Sequence, residues 1–193
     1  SGNNPLSIEL TSAGLPRILC VAALGSENTF SVGTILISYS NMTWSPFLFG
    51  DDRGQYTGIN PSMTKSKQND SDVHIAGIGP FSSLIYRKYD GVTSDSQIVF
   101  QGNYTGSADE EEEASIAVDS NGKVHIAYYD RTNRSIRYAT NLFTNAFNYA
   151  TVKSASGSDV IGRLLKIKIG SDGKKHIIHL NLTEQYMEYL KEL

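Results

Sequence analysis

A short pattern that recurs at a fixed spacing limits what this chain can fold into. Histidine stands in Val73-His-Ile-Ala76, in Val124-His-Ile-Ala127 and in Lys175-His-Ile-Ile178, so consecutive copies lie 51 residues apart. An Ile/Leu/Met-X-Tyr triplet follows each copy and also occurs at Ile37-Ser-Tyr39. A period of about 50 residues indicates repeated units that bury their apolar faces on one another. The sequence therefore predicts four copies of one unit, with Cys20 in the first copy where the others have histidine.

The third copy shows what the unit is made of. Residues 115–119 alternate between apolar and polar side chains, Asn121-Gly122 is the dipeptide typical of a two-residue hairpin turn, and residues 124–130 return antiparallel. A third strand is predicted at residues 135–140 and a fourth at residues 146–153. The unit is therefore a four-stranded antiparallel meander.

Four-stranded units of about 50 residues are typical of a β-propeller, in which each sheet is one blade. The predicted fold class is all-β, with residues 1–193 forming a single β-propeller domain whose blades cover about residues 5–50, 51–101, 102–154 and 155–193. The last blade has three predicted strands and lacks its outer strand, which leaves an open edge. Residues 183–193 contain good helix formers, but the position of Met187-Glu-Tyr189 in the repeat favours a strand. A four-bladed ring, a homodimer paired through the open edges and a fragment of a larger propeller all stay open.

Composition excludes several classes of partner. The net charge is −3, from 17 basic and 20 acidic residues without a basic stripe, so we expect no nucleic-acid partner. No apolar run is long enough to span a bilayer, so we expect no membrane insertion. Abundant Ser, Asn, Thr, Gly and Tyr favour an extracellular or cell-surface location, with the periplasm as an alternative. The single cysteine, Cys20, lies in an apolar run and is predicted to be a buried, unreactive thiol.

The repeated histidines are predicted to be structural. Equivalent residues of neighbouring blades lie too far apart to converge on one ion or one substrate unless they line the central channel. His74, His125 and His176 belong to second strands, beside the channel-lining strands. We therefore expect packed histidines whose ring nitrogens bond to neighbouring backbone groups.

The loops that connect the blades carry the candidate ligand-binding residues. Residues 50–58 and 102–113 both contain Tyr-Thr-Gly. In a propeller these loops share one rim with the connections between second and third strands, and binding residues tend to lie in such connections. Tyrosine rings and charged groups on one rim can stack on a sugar ring and bond its hydroxyls. The predicted ligand-binding residues are Asp51, Asp52, Arg53, Tyr56, Tyr104, Arg131 and Arg134.

One acidic run is a candidate calcium site. Residues 109–113 are five consecutive carboxylates, and Ca²⁺ prefers several carboxylate oxygens as ligands. The candidate calcium ligands are Asp109, Glu110 and Glu111, and no other cofactor is expected. No Asp-X-Asp-X-Asp-Gly loop accompanies the run, which favours a solvated acidic loop over a metal site.

The third unit, VDSNGKVHIAYYD followed by IRYATN, resembles blades of bacterial extracellular β-propeller repeat proteins in the broad sialidase-like and BNR-like group. The resemblance covers most of the chain from Ile59 to Tyr189. The Asp-box of that group, Ser-X-Asp-X-Gly-X-Thr-Trp, is not matched, because Asp119-Ser-Asn-Gly122 lacks its spacing and its tryptophan. The arginine triad of sialidases is not found either. The resemblance therefore implies a propeller fold but assigns no catalytic residue.

These observations predict a non-catalytic, secreted or surface propeller that acts as a binding or interaction module for a carbohydrate or a protein. The signatures of hydrolases, zinc proteases and nucleotide-binding enzymes are absent. Two alternatives stay open. One is a sialidase-type glycosidase or a fragment of one, and the other is a structural propeller fragment that self-associates as a homodimer through its open blade edge.

Overall fold

The computed structural model describes residues 6–24, 31–49, 59–105, 113–141 and 146–191, which form four antiparallel sheets. Sheets 1 and 2 contain β1 (Leu6–Leu10), β2 (Pro16–Leu24), β3 (Ser31–Ser40), β4 (Thr43–Phe49), β5 (Ile59–Lys65), β6 (Val73–Gly79), β7 (Ser83–Tyr89) and β8 (Ser94–Phe100). Sheets 3 and 4 contain β9 (Ala114–Val118), β10 (Val124–Asp130), β11 (Ser135–Asn141), β12 (Phe147–Ser154), β13 (Arg163–Ile169), β14 (Lys175–Asn181) and β15 (Tyr186–Lys191). A 3₁₀ turn at Pro80–Ser82 joins β6 to β7.

Each sheet is a meander whose neighbouring strands are adjacent in the chain. The all-β prediction and the four antiparallel units are confirmed, and the described part of sheet 4 has three strands. In the final segment, Tyr186–Lys191 form β15 and are not helical. None of the described segments is a helix long and apolar enough to cross a membrane.

The hydrophobic core lies between the sheets, which stack face to face in chain order. Three clusters of buried side chains join sheet 1 to sheet 2, sheet 2 to sheet 3, and sheet 3 to sheet 4. Their central members are, in that order, Leu19, Leu36, Met63 and Ile75; Ile78, Leu84, Ile116 and Ile126; and Ile136, Tyr138, Leu165 and Ile167. Side chains alternate between the two faces of a strand, so each sheet has a forward face toward the following sheet and a backward face toward the preceding one.

A recurring hydrogen bond links the inner strands of successive sheets. In each case a serine hydroxyl oxygen accepts the backbone N–H of the next inner strand. The pairs are Ser7 with Met63 at 3.3 Å, Ser62 with Ile116 at 3.3 Å, and Ser115 with Ile167 at 3.1 Å. The inner strands β1, β5, β9 and β13 thereby line one central cavity.

The described strands do not close into a ring. Among the described residues, no buried cluster joins sheet 4 to sheet 1. The outer faces of these two sheets carry exposed apolar side chains, including Ile8 at 58% and Tyr189 at 54% exposure. A closed ring of four blades is therefore not confirmed.

The strand pairing of sheet 1 shows that Cys20 is not the counterpart of the histidines. In sheets 2 and 3 the histidine lies two residues before the residue that pairs with the inner-strand serine. In sheet 4 it lies two residues before the residue that pairs with Lys166, which occupies the serine position. In sheet 1 Ser7 faces Leu19, so the histidine position is held by Arg17. The tyrosine of the other sheets pairs with the residue that corresponds to Leu19, and in sheet 1 Leu19 pairs with Leu36, so Leu36 holds the tyrosine position. The prediction that Cys20 corresponds to the repeated histidines is thus wrong. Cys20 is half-buried, and not fully buried as predicted.

Each repeated histidine pairs with the tyrosine of the neighbouring strand. The distances from Nδ1 to the hydroxyl oxygen are 2.7 Å for His74 with Tyr86, 2.6 Å for His125 with Tyr138, and 2.6 Å for His176 with Tyr189. His74 and His125 are buried, as predicted, whereas His176 is half-buried. The bonded partner of each ring is a tyrosine hydroxyl and not the expected backbone group. In sheet 3 the second ring nitrogen, Nε2 of His125, lies 3.3 Å from Asp119 Oδ2. Because a carboxylate only accepts, the ring proton of His125 lies on Nε2 and its Nδ1 accepts from the Tyr138 hydroxyl.

We expect the stability of the protein to fall as the pH drops from about 6.5 toward 4. Burial lowers the pKa of His74 to about 4 and also lowers the pKa of His125 and of His179. An unfolded histidine takes up a proton below about pH 6.5, whereas a buried one stays neutral. Each such histidine costs up to ~1.4 kcal/mol per pH unit in that window. Urea denaturation at pH 7, 6 and 5 measures the slope.

A His74→Gln variant should show a shallower dependence of stability on pH, because one buried titrating group is gone. His176→Gln is the matched control, since His176 makes the same tyrosine contact on a face that no described sheet covers. Equal slopes for the His74→Gln variant and the parent protein would contradict this explanation.

Candidate functional site

Two of the predicted binding residues meet at the upper rim, which we define as the end of the sheets where the inner strands begin. Tyr104 lies in the loop that follows β8, and Arg131 lies in the turn that follows β10. The Cζ atom of the Arg131 guanidinium is 4.3 Å from the centroid of the Tyr104 ring. A guanidinium over an aromatic face is held by a cation–π interaction. The structure thus brings together residues that are far apart in the chain.

Gly102 fixes Tyr104 in place, because the loop after β8 passes directly over the turn between β6 and β7. A Cβ atom at residue 102 would lie 2.0 Å from the backbone oxygen of Phe81, so only glycine fits. The Gly102 N–H donates to the Ser83 hydroxyl at 3.1 Å, and the Tyr104 N–H donates to the Phe81 oxygen at 3.2 Å. The loop after β8 is therefore hydrogen-bonded to sheet 2 through Gly102 and through Tyr104 itself.

Phe81 is an exposed aromatic residue of the upper rim that sequence reasoning missed. Its side chain is 57% exposed, and its φ of 58° lies in the left-handed region that a bulky residue rarely adopts. Ser82 has the same kind of conformation, with φ of 60°. Such strain persists only where surrounding contacts hold it, and here the bonds from Gly102 and Tyr104 do so. Gly79-Pro80 is a turn signal in the sequence, but nothing in it reveals the exposure of the next side chain.

Arg134 occupies the same turn as Arg131 but has a different set of contacts. Its guanidinium donates to the backbone oxygens of Gly157 at 2.5 Å and of Asp159 at 2.8 Å. These bonds tie the turn after β10 to the loop between β12 and β13. Its predicted part in ligand binding stays a prediction, and its observed contacts are with the rim itself.

Glu113, the last carboxylate of the acidic run, holds sheet 4 to sheet 3. Its two carboxylate oxygens accept the N–H groups of Leu164 at 2.8 Å and Leu165 at 3.0 Å. Leu164 has φ of 50°, and the pairing of β13 with β14 shifts register beside it, so the carboxylate satisfies the backbone at an irregular strand start. This carboxylate has a structural role in the described protein.

Seven of the predicted residues lie outside the described part of the chain. They are the candidate ligand-binding residues Asp51, Asp52, Arg53 and Tyr56, and the candidate calcium ligands Asp109, Glu110 and Glu111. Within the described residues, no group of three or more His, Cys, Asp or Glu side chains is arranged to hold a metal ion. The calcium site stays a prediction.

Two clefts have polar linings. The central cavity has a volume of about 460 Å³, and Glu9, Asn60, Glu113 and Lys168 are among its lining residues. The second cleft, of about 490 Å³, opens between sheets 2 and 3 and is lined in part by His74, Tyr86 and Asp95. Burial lowers the pKa of His74 to about 4 and raises that of Tyr86, so both groups are neutral at pH 7.

No protein-family model matches the sequence, and neither does any curated protein. Among solved structures, the chain is similar to an α-L-arabinanase from Penicillium chrysogenum in complex with arabinobiose. The TM-score is 0.71 and the identity 13%, over 98% of this chain and 62% of that chain. It is also similar to a mutant of AofleA from Arthrobotrys oligospora in which three arginines are replaced by alanine. Here the TM-score is 0.60 and the identity 10%, over 100% of this chain and 55% of that chain.

The fold is that of a β-propeller. A fungal lectin from Aleuria aurantia, a six-bladed β-propeller that recognises fucose, matches with 11% identity and a TM-score of 0.47, over 98% of this chain and 64% of the lectin. That score is too low to support an argument about this propeller. The chain spans less than two thirds of each of these structures. The predicted place within the bacterial, sialidase-like and BNR-like group is not confirmed.

Proposed function

We propose that this propeller is a non-catalytic carbohydrate-binding module whose site is the upper rim around Phe81, Tyr104 and Arg131. The observation that carries the proposal is the Arg131 guanidinium held 4.3 Å above the Tyr104 ring, next to the turn that presents Phe81. The carbohydrate found with the similarly folded arabinanase, arabinobiose, supports this class of ligand.

The chemistry of the rim suits a saccharide. A pyranose or furanose ring presents a patch of C–H groups that packs on an aromatic face, and the exposed ring of Phe81 offers such a face. The hydroxyl groups of the sugar accept hydrogen bonds, and the guanidinium of Arg131 has five N–H donors in a fixed plane. Tyr104 acts as a positioning residue, because its ring orients the guanidinium of Arg131. The bonds made through Gly102 keep the parts of the site in register, which lowers the entropic cost of binding.

We expect an Arg131→Ala variant to bind its glycan at least about tenfold more weakly, a loss of ~1.4 kcal/mol. A glycan array identifies the ligand, and titration calorimetry of the best hit measures the affinity of the parent protein and the variant. Thr132→Ala, on the same turn, is the matched control and should bind like the parent. Arg131→Lys keeps the charge but loses the planar fork of donors, so it should bind like the alanine variant.

Loss of affinity without loss of thermal stability would place the defect in the site and not in the fold. An array without any hit, or full affinity in Arg131→Ala, would overturn the proposal. A protein ligand is the runner-up. If the ligand is a protein, a pull-down should recover it, and added free sugars should not displace it.

A sialidase-type glycosidase is the alternative from another class. The likeness to an arabinanase concerns the fold alone and assigns no catalytic residue to this chain. Incubation with a panel of chromogenic glycosides separates the two functions. Turnover that Asp51→Asn or Asp109→Asn abolishes would establish the enzyme, whereas a binding module gives no turnover. An extracellular or cell-surface location fits either function.

A further inference from the structure

The backward face of sheet 1 is an uncovered apolar surface. Cross-strand partners share a face of a sheet, and two rows of partners cross this one. The first row consists of Ile8, Ile18, Ile37 and Pro46, and the second row contains Cys20, Ile35 and Leu48. Ile8 is 58% exposed and Leu48 is 49% exposed. Every residue in these two rows is apolar.

In the other three sheets the equivalent surface is buried. The position of Ile8 is held by Met63 in sheet 2, Ile116 in sheet 3 and Ile167 in sheet 4, as the recurring serine bond shows. These side chains are 5%, 4% and 1% exposed, because the forward face of the preceding sheet covers each of them. Sheet 1 thus has the surface of a covered blade without a described sheet on it.

The covering sheet always supplies a hydroxyl. Ser7, Ser62 and Ser115 each accept the N–H of the residue whose side chain is buried in the next sheet. Sheet 4 breaks this rule, since it has Lys166 at the serine position and Lys168 two residues later. Both lysine side chains are exposed. Placing their ammonium groups against Ile8 would remove charge from water without a partner.

We propose that the backward face of sheet 1 binds a further four-stranded propeller blade, one whose inner strand carries a serine or threonine at the position of Ser115. Its hydroxyl accepts the N–H of Ile8, and apolar side chains on its forward face cover the two apolar rows, as those of sheet 2 cover sheet 3. Sheet 4 lacks this hydroxyl, whether it belongs to the same chain or to a second copy. This interface does not depend on the proposed binding of carbohydrate.

The test supplies such a blade. A copy of residues 59–112, fused directly before Pro5, places the serine of sheet 2 at its native spacing, because residue 113 corresponds to residue 5 when Ser115 is matched to Ser7. We expect hydrogen exchange of the β1 amides to slow at least about tenfold and the melting temperature to rise. The matched control is the same fusion with Ser62→Lys in the added copy, which reproduces the lysine of sheet 4. It should lose most of the protection. Equal protection in both fusions would overturn the proposal.

A second measurement needs no added blade. By light scattering we expect the parent protein to stay monomeric at concentrations where a Lys166→Ser, Lys168→Ala variant, which has gained the pattern of a covering sheet, self-associates. A discrete dimer of the parent that Leu48→Lys dissolves would show a second copy to be the occupant and would overturn the proposal. So would a double variant that stays monomeric. Val92→Lys, an exposed apolar position outside this face, is the control for added charge.

Discussion

Replacing Asp130 with alanine is expected to lower the free energy of unfolding by about 3 kcal/mol. Its carboxylate is 1% exposed and accepts three hydrogen bonds. The donors are the Asn133 backbone N–H at 3.1 Å, the Asn133 side-chain amide at 2.8 Å and the Arg137 guanidinium at 3.0 Å. Arg137 lies between the Phe100 and Tyr149 rings, with its Cζ atom 4.7 and 4.8 Å from their centroids. Without Asp130 this guanidinium would remain in a largely apolar place without its carboxylate.

Urea denaturation monitored by circular dichroism measures the loss. Asp95→Ala is the matched control, because that carboxylate is exposed on β8, and it should change stability by no more than about 0.5 kcal/mol. In an Arg137→Met background the Asp130→Ala change should cost less, since no cation is then left unpaired. Equal costs in both backgrounds would contradict the ion-pair explanation and leave the capping of the Asn133 turn as the cause.

The second large effect is expected at Gly102. A valine there should destabilise the protein by about 3 kcal/mol, at the upper end for overpacking, and should abolish binding at the upper rim. The added Cβ would lie 2.0 Å from the Phe81 oxygen and 2.6 Å from the Ser82 oxygen. Both are backbone atoms and cannot rotate away, so the loop must lift and move Tyr104 from its place under Arg131.

Thermal denaturation and glycan titration of the same preparation follow the two consequences separately. Gly14→Val is the control, because a Cβ at Gly14 meets no atom within 4 Å and only its φ of 75° opposes a side chain. That variant should lose about 1–2 kcal/mol from backbone strain and keep its affinity. Full glycan affinity in Gly102→Val would show that the rim loop does not position the site.

Local sequence signals predicted the strands well, because they depend on alternation and turn residues within a few positions. Asn121-Gly122 marks the hairpin between β9 and β10, and the repeat correctly favours a strand for β15 against its helix-forming composition. The rule that the two kinds of loop share a rim predicted that Tyr104 and Arg131 lie at the same end of the sheets. Their contact depends on the close approach at Gly102, which no local pattern reveals.

The predictions that were wrong depended on register. Cys20 lies three residues beyond Arg17, which holds the histidine position, and an odd offset along a strand places a side chain on the other face. The tyrosine partners of the histidines were missed for a related reason. They lie diagonally across two strands, and the sequence alone does not fix that offset. Phe81 was missed because exposure is a property of the assembled surface.

The meander topology has a consequence for how the protein is made. Every strand pair among the described residues joins neighbours in the chain, so a sheet can complete its hydrogen bonds soon after its own segment leaves the ribosome. All-β proteins often fold slowly because distant strands must find one another, and this chain avoids that delay within each blade. Whole units can also be duplicated or lost during evolution without breaking a ladder in the remaining sheets. After such a change, only the side chains that pack between neighbouring sheets have to fit a new partner.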